Sequence, residues 1–198
     1  MAQEMRAAVL RKLRTPLRIE KLARPEPGPG QILIRVAACG VCHSDLHAVD
    51  GDWTPGPTLP LIPGHEVTGH VVALGRGVSG VKLGEAVGVP WMFSACGACE
   101  YCLSGQETIC RNGRSTGYSV PGGKKDEVRN SIAALVGGEL TLRGSNVGTR
   151  ADLAEAIAFA ANGLVTAKIE RQPLSRANRV LERMRKGQIL GRVVLDLR

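Results

Sequence analysis

Four closely spaced cysteines place the tightest limit on how this chain folds. They follow the pattern Cys-x2-Cys-x2-Cys-x7-Cys, at Cys96, Cys99, Cys102 and Cys110. Four thiolates at such short spacings can surround one tetrahedral Zn²⁺ without long-range help. Because no coordination position stays open, the site would be structural. It would hold together a lobe of about residues 94–112, which has few apolar side chains of its own.

Two other uses of the four cysteines remain open. Disulfide bonds are the first, but they are rare in the cytoplasm, where we expect this protein to be located. An iron–sulfur cluster is the second, since it also takes four cysteine ligands. The short spacing favours zinc.

The chain has the size of one domain, at 198 residues, since domains commonly run to roughly 100–200 residues. Apolar residues make up 43% and charged residues 22%, a globular balance, and no apolar run approaches the ~18 residues of a membrane span. The N-terminal stretch shows no continuous apolar region with a small-residue cleavage site. We therefore expect a cytoplasmic protein with no membrane partner.

The net charge of +8 lies mostly after residue 123. Such an excess is compatible with a nucleic-acid surface. However, the basic residues over 168–186 alternate with Glu170, Glu182 and apolar positions, and no aromatic stacking platform accompanies them. This spacing favours a solvated helix face, so we expect no nucleic-acid partner.

Strand patterns dominate the first part of the chain. Glycine, at 25 residues, and proline, at 11, exceed what helical bundles tolerate, and helical periodicity is nearly absent before residue 123. Short strands are predicted, at the spacing of a barrel, over residues 6–14, 16–22, 31–37, 66–74 and 85–89. The later part predicts helices over 151–162 and 175–187, the second with Ser175 as its N-cap, and a final strand from residue 192. The predicted class is mainly β with some α.

A second group of metal-ligand residue types lies in two separate segments. Cys39-Gly-Val-Cys42-His43-Ser44-Asp45-Leu46-His47 is followed at a distance by Gly64-His65-Glu66. A thiolate and an imidazole, joined by one further ligand, would leave Zn²⁺ an open position for a water or an alcohol oxygen. Asp45 can orient His65, and Ser44 with His47 can pass a proton to solvent.

The same residues allow other interpretations. Cys39 and Cys42 form a C-x-x-C pair like that of thioredoxin-like redox sites, although those lie in a βαβ setting that this strand-rich part lacks. His65 and His70 also fit ordinary core histidines. We adopt that interpretation for His70.

Together these motifs resemble zinc-containing alcohol dehydrogenases of the medium-chain dehydrogenase/reductase superfamily, bacterial type. The resemblance covers residues 1–123 and again about 131–198. It rests on the four-cysteine lobe, Cys39–His47, Gly64–Gly69 with Gly75 and Val78, and Pro90-Trp91. It implies a GroES-like β-barrel catalytic domain, completed by C-terminal helices and a final strand that returns to the barrel. The implied reaction is oxidation of alcohols to aldehydes or ketones, with NAD accepting the hydride.

The resemblance also implies roles for individual residues. Its zinc ligands correspond to Cys42 and His65, with the nearby carboxylate Glu66, at a catalytic site, and to Cys96, Cys99, Cys102 and Cys110 at a structural site. Its proton relay corresponds to Ser44 and His47, close to Asp45. Its cofactor-phosphate contacts correspond to His43 and Arg192. Trp53 and Trp91 correspond to the walls of a pocket for a small alcohol or carbonyl compound.

A nucleotide-binding domain is missing from the place where the family has one. The family inserts a Rossmann domain of roughly 150 residues between the two matching stretches, where this chain has only a junction over 124–130. Gly75-Arg-Gly77-Val-Ser-Gly80 spells G-x-G-x-x-G, but Val81-Lys-Leu-Gly84 cannot open the helix that a dinucleotide site requires. The family's third catalytic ligand, a cysteine, also belongs to the missing segment. We therefore expect negligible dehydrogenase activity from the chain alone. A zinc-binding module with a hydrolytic or inert site is the alternative.

These observations divide the chain into three parts. Residues 1–123 form a catalytic part with its lobe, residues 124–130 the junction, and residues 131–198 the part that completes the catalytic domain. In the last part, Glu139–Gly144 resembles the final strand of the missing domain, whose parallel neighbours would bury Leu140 and Leu142. An apolar strand with free edges must fold onto the barrel, pair with the same strand of a second chain, or cause aggregation. Of these outcomes we favour pairing in a dimer, so we expect a homo-oligomer.

Overall fold

The computed structural model describes residues 4–54, 56–118 and 147–198. The strands in these ranges are β1 (Glu4–Val9), β2 (Arg18–Ala23), β3 (Ile32–Val41), β4 (Glu66–Leu74), β5 (Ala86–Val89), β6 (Met92–Ser94), β7 (Arg114–Ser115), β8 (Ile169–Pro173) and β9 (Arg192–Asp196). The helices are α1 (His43–Asp50), α2 (Glu100–Leu103), α3 (Arg150–Ala161) and α4 (Ala177–Arg185), with 3₁₀ turns at Glu107–Ile109 and Leu174–Arg176. The fold is mainly β with a few helices, as predicted. The junction over 124–130 and Glu139–Gly144 lie outside the described residues.

The central element is a five-stranded sheet in the order β5-β4-β3-β9-β8. Its strands are antiparallel except for β8 and β9, which run parallel. The final strand pairs with β3 from Val41↔Val193 to Ala38↔Asp196. The chain therefore returns to its first part, as predicted, and brings residue 192 next to the loop after β3.

The first two strands form a separate antiparallel pair, with Glu4 opposite Ala23 and Val9 opposite Arg18. The predicted strand over 6–14 is too long, because β1 ends at Val9. Leu10 instead bridges to Leu61 through two backbone hydrogen bonds of 2.8 and 3.0 Å. Arg14 then turns the chain with a φ of 60°, a conformation that a continuing strand cannot contain.

Helix α1 lies in the part of the chain where helical periodicity is nearly absent from the sequence. It begins after Cys42, whose backbone N–H donates to the Asp45 carboxylate at 2.9 Å, and it ends at Gly51 with a φ of 69°. These are the cap and the glycine stop of a regular helix. At eight residues, α1 is too short for its apolar spacing to show a 3.6-residue period.

Helix α4 closes the hydrophobic core from the far end of the chain. Its buried face consists of Ala177, Val180, Leu181 and Met184, the face that the sequence indicated. Ser175 is not the N-cap, since a 3₁₀ turn over Leu174–Arg176 precedes the helix. The Asn178 amide bonds both the backbone N–H and the carbonyl of Leu17, at 2.8 and 2.9 Å. These contacts fasten the end of the chain to its beginning.

Helix α3 begins where predicted but buries none of its side chains. Thr149 caps it, and Asp152 accepts a hydrogen bond from the Thr149 backbone N–H at 2.6 Å. Its apolar residues Leu153, Ile157 and Phe159 stay exposed. No helix in the described ranges is long and apolar enough to cross a membrane.

His70 is not a core histidine. It lies exposed on β4, with its Nδ1 3.3 Å from the Gly84 carbonyl oxygen, because strand alternation turns this position outward. The glycine motif that starts at Gly75 leads into turns rather than a helix. Gly75 is required by close packing, since a Cβ there would lie 1.9 Å from the Gly28 carbonyl oxygen.

Candidate functional site

The four cysteines of the lobe converge on one point. Their sulfur atoms all lie within 4.8 Å of one another. The measured separations are 3.6 Å for Cys99–Cys102 and 3.9 Å for both Cys96–Cys102 and Cys99–Cys110. Four sulfurs about 2.3 Å from a tetrahedral zinc would be about 3.8 Å apart. The cluster therefore has the dimensions of a closed four-thiolate zinc site.

Local backbone structure brings these thiols together. Cys99 precedes α2, and Cys110 follows the 3₁₀ turn over Glu107–Ile109. The Cys96 backbone N–H donates to the Cys110 sulfur at 3.3 Å. A hydrogen bond from the Cys102 backbone is the main cause that lowers the pKa of Cys99 to about 6. The Cys99 thiolate, the form that binds metal, is therefore favoured at neutral pH, whereas burial raises the pKa of Cys102 to about 12.

A second cluster joins two elements of the central sheet and α1. One donor atom each from Cys42, His65 and Glu66 lies within 4.8 Å of the others. Cys42 lies between β3 and α1, whereas His65 directly precedes β4 and Glu66 is its first residue. A thiolate, an imidazole and a carboxylate in this arrangement fit a zinc ion with a position left for a small oxygen ligand.

Asp45 connects the two halves of this cluster. One carboxylate oxygen accepts from the Cys42 backbone N–H at 2.9 Å, and the other lies 3.1 Å from His65 Nδ1. Both Asp45 and His65 are buried, at 6% exposure each. With Nδ1 held by Asp45, Nε2 is the ring nitrogen left to bind a metal, and a bound metal would replace its proton.

The surroundings of the cluster favour the charged forms of the Cys42 thiol and the His65 imidazole. A hydrogen bond with His65 is the main cause that lowers the pKa of Cys42 to about 7, with help from Ser44. Burial opposes the charged form of His65, but its bonds to Asp45 and Cys42 outweigh burial and raise its pKa to about 9. Cys39 behaves oppositely, since burial raises its pKa to about 12.

Cys39 does not belong to the metal cluster. Its thiol bonds the Gly40 carbonyl oxygen at 3.4 Å, and its sulfur is not among the donor atoms that converge. All six cysteines of the chain are described, and none forms a disulfide. The C-x-x-C pair is therefore divided, with Cys42 in the cluster and Cys39 packed beside it.

Two glycines create the space that the cluster occupies. A Cβ at Gly40 would lie 2.1 Å from a Glu66 carboxylate oxygen. At Gly64, whose φ of 119° already favours glycine, a Cβ would lie 2.9 Å from the Cys39 sulfur. Any larger residue at either position would displace a donor or its neighbour.

Arg192, expected at a cofactor phosphate, touches the cluster of Cys42, His65 and Glu66. Its guanidinium donates to Glu66 through Nη2, and this bond is the main cause that raises the pKa of Arg192. The other residue expected at a phosphate, His43, is the exposed first residue of α1. The sequence alone gave no signal for the Arg192–Glu66 contact.

Aromatic side chains form one wall beside the cluster. The ring of Trp91 meets His65 edge-on at 4.8 Å, and Trp53 lies 6.0 Å from Trp91. Tyr118, which sequence reasoning missed, is buried with its ring 5.2 Å from Trp53. The structure thus brings the two expected tryptophans together and adds a tyrosine that no motif marked.

The two residues expected to move a proton lie on α1. Ser44 follows Cys42 at a distance of two residues and helps to lower the pKa of its thiol. His47 lies one turn further along, half exposed, with its Nδ1 2.8 Å from an Asp52 carboxylate oxygen. Asp52 was not among the predicted site residues, since it follows the helix in a turn without a recognisable motif.

Comparison with known proteins agrees with this architecture. The family model described as "Alcohol dehydrogenase GroES-like domain" matches residues 28–137. An alcohol dehydrogenase from Geobacillus stearothermophilus is 50% identical over 132 residues, which is 67% of this chain and 39% of the relative. One from Rhizobium meliloti is 53% identical over 118 residues, 60% of this chain and 35% of the relative.

A solved structure shares the fold. The alcohol dehydrogenase of the hyperthermophilic archaeon Aeropyrum pernix superposes with a TM-score of 0.85 at 20% identity, over 97% of this chain and 100% of that one. The chain spans well under half the length of the curated relatives that it matches. Since the family model covers more than half of its residues, the chain belongs to the alcohol dehydrogenase GroES-like domain family.

Proposed function

We propose that this chain is the zinc-holding and substrate-binding domain of an alcohol dehydrogenase that converts alcohols to aldehydes or ketones. The observation that carries the proposal is the convergence of Cys42, His65 and Glu66 beside the aromatic wall of Trp53 and Trp91. In this proposal residues 1–123 and 131–198 together form the catalytic domain, residues 124–130 join them, and the lobe over 94–112 holds a structural zinc.

The donor sets fit zinc at both sites. Cys96, Cys99, Cys102 and Cys110 would hold the structural ion, and Cys42, His65 and Glu66 the catalytic one. When bound at the catalytic site, zinc supplies a Lewis acid that favours loss of the alcohol proton. Asp45 fixes the His65 ring for this role through the 3.1 Å contact with Nδ1.

Ser44 and His47 are proposed to carry the alcohol proton to solvent. Ser44 lies against Cys42 and therefore beside the position where an alcohol oxygen would sit. His47 has 42% of its side chain exposed and can release a proton to water. Asp52 holds the Nδ1 side of that ring, which leaves Nε2 to accept a proton.

Trp53 and Trp91 are proposed to select the carbon chain of a small alcohol or carbonyl compound. Their rings are half-buried and meet at an interplanar angle of 78°. Apolar walls of this kind bind an alkyl group by excluding water, while the metal cluster takes the oxygen. The pocket thus orients the substrate with its oxygen toward Cys42 and His65.

Turnover with NAD is proposed to require more than this chain. Hydride transfer needs the nicotinamide held against the reacting carbon. His43 and Arg192 are proposed as contacts for the cofactor phosphates, but the Arg192 guanidinium is already bonded to Glu66. Two exposed cations contribute little binding free energy. This chain covers well under half the length of the curated relatives that it matches, which supports the same conclusion.

Calorimetry with NAD, run beside an ethanol oxidation assay, tests this proposal. We expect no saturable NAD binding at millimolar cofactor and no NAD-dependent oxidation by the zinc-loaded chain. Adding Trp53→Ala as a matched variant shows whether any residual signal arises at the proposed pocket. Saturation with turnover that Trp53→Ala reduces would contradict the claim that the chain needs a further domain.

A zinc-dependent hydrolytic site is a second candidate. It is favoured by the Glu66 carboxylate in the third donor position, since a glutamate beside two histidines forms the catalytic zinc site of some proteases, and here Cys42 replaces one histidine. An activated-ester assay at neutral pH tests it. Hydrolysis that requires zinc and is lost in His65→Ala would favour this candidate over the dehydrogenase domain.

A further inference from the structure

A cavity lies between the β1–β2 pair and the central sheet, and it shares no residue with either cysteine cluster. Its volume is about 720 Å³, which is within the range of roughly 300–1,000 Å³ for small-molecule sites. We call it the arginine cleft, because four arginines line it: Arg6, Arg24, Arg35 and Arg198.

The floor of the arginine cleft is apolar. It includes the half-buried side chains of Met5, Leu33, Val36, Val72, Leu174 and Leu197. Two of these, Leu174 and Leu197, also pack against the hydrophobic core. Because the floor continues the core, it is a firm surface on which an alkyl chain can exclude water.

The charges at the rim are unbalanced. Asp196 carries the one acidic side chain among the described residues that line the cleft, and Arg198 already binds it through bonds of 3.0 and 2.5 Å. Arg6, Arg24 and Arg35 form no side-chain hydrogen bond or ion pair with any residue in the described ranges. Among the described residues, these three guanidinium groups beside an apolar floor therefore have no acidic side chain bonded to them.

We propose that the arginine cleft binds a long-chain carboxylate, with the alkyl chain on the apolar floor and the carboxylate among Arg6, Arg24 and Arg35. Guanidinium groups match carboxylates geometrically, since their planar N–H donors can bind both oxygens. The apolar floor excludes a small hydrophilic anion as the best ligand, because such an anion leaves the floor exposed to water. A neutral alcohol leaves the arginines unmatched.

Equilibrium dialysis of zinc-loaded protein with labelled dodecanoate, below its micelle concentration, tests the proposal. We expect saturable binding of one dodecanoate per chain, with butanoate and dodecanol each at least about tenfold weaker. Equal binding of butanoate or dodecanol would overturn the proposal, because one half of the site would then contribute nothing. Binding to anionic phospholipid vesicles without binding of free dodecanoate would also overturn it in favour of a membrane surface.

A pair of matched variants locates the binding. Arg6→Gln/Arg35→Gln removes two charges from the cleft, and Arg76→Gln/Arg179→Gln removes two exposed charges elsewhere. We expect the first to weaken dodecanoate binding about tenfold or more and the second less than twofold. Equal losses would mean that net charge alone attracts the ligand.

A third variant distinguishes binding of the carboxylate at the arginine cleft from binding at the cluster of Cys42, His65 and Glu66. Since a carboxylate can also bind zinc, the same dialysis is run on Cys42→Ser, which loses a donor of that cluster. Unchanged binding supports the arginine cleft. Loss of binding in Cys42→Ser, with retention in Arg6→Gln/Arg35→Gln, would place the carboxylate at the metal and overturn the proposal without affecting the proposed function.

Discussion

The guanidinium of Arg192 binds the carboxylate of Glu66, one of the three donors that converge with Cys42 and His65. The contact joins the first residue of β9 to the first residue of β4. Arg192 also interacts with the Cys42 thiol. A cation therefore occupies the edge of a cluster that is proposed to hold a second cation, and the two must compete for the same negative charge.

Arg192→Gln should raise the zinc affinity of the Cys42–His65–Glu66 cluster about threefold to tenfold, because it removes a repelling charge and frees Glu66. The dissociation constant is measured by competition with a chelator. Arg183→Gln, which breaks a half-buried ion pair with Glu170 far from the cluster in sequence, is the control and should leave it unchanged. Weaker zinc binding in Arg192→Gln would show that Arg192 supports the site instead of competing with zinc.

Asp45→Asn should lower zinc affinity at the same cluster by about 10-fold to 100-fold, because His65 would lose the partner that fixes its ring. Unfolding should also become easier by about 1–3 kcal/mol, since a buried polar contact is lost. Asp52→Asn, which alters the exposed bond to His47, is the matched control. An Asp45→Asn protein with unchanged zinc affinity would remove Asp45 from the proposed mechanism.

Alkylation of Cys42 should follow its lowered pKa. In protein from which the weaker zinc has been stripped, its rate with iodoacetamide should rise as pH increases through about 7, because the thiolate is the nucleophile. Cys39, with a pKa raised to about 12, should stay unmodified over this range. Site-resolved mass spectrometry measures the extent of modification at Cys42 and at Cys39.

A His65 variant tests why the Cys42 thiol is reactive near neutral pH. His65→Gln removes the main contact that lowers the Cys42 pKa, so the rise in rate should move to higher pH. A pH profile identical to that of the parent would show that His65 does not stabilise the thiolate.

Cys99→Ser should unfold the lobe. The change replaces a thiolate with a weak neutral ligand and leaves three thiols around a poorly held metal. Limited proteolysis should then cut within residues 94–112 well before the rest of the chain. Cys39→Ser, outside both clusters, is the control. Equal protease resistance of the lobe in Cys99→Ser and the parent would contradict the closed four-thiolate site.

Features set by neighbouring residues could be predicted from the sequence. The four cysteines lie close along the chain, so their spacing alone indicated a cluster. Strands β3 and β4 showed regular apolar patterns, and the buried face of α4 repeats at helical spacing. In each case the physical cause lies within a few residues of the feature.

Features set by distant contacts could not be predicted. The Arg192–Glu66 contact depends on β9 pairing with β3, which no local pattern specifies. Tyr118 joins the aromatic wall only because the chain after the lobe returns to Trp53. Helix α1 is short enough that its caps, and not its apolar period, determine it.

Zinc content per chain, measured by mass spectrometry during stepwise competition with a chelator, tests the central claim most directly. The parent should bind two zinc ions, one for each donor cluster, and should lose one well before the other, because three donors hold less firmly than four. Glu66→Gln should lose that first ion at a chelator concentration at least about tenfold lower than the parent requires. Cys42→Ser should not retain this ion. A parent that binds a single zinc, or a Glu66→Gln protein that releases zinc as the parent does, would contradict the assignment of Cys42, His65 and Glu66 as a zinc site.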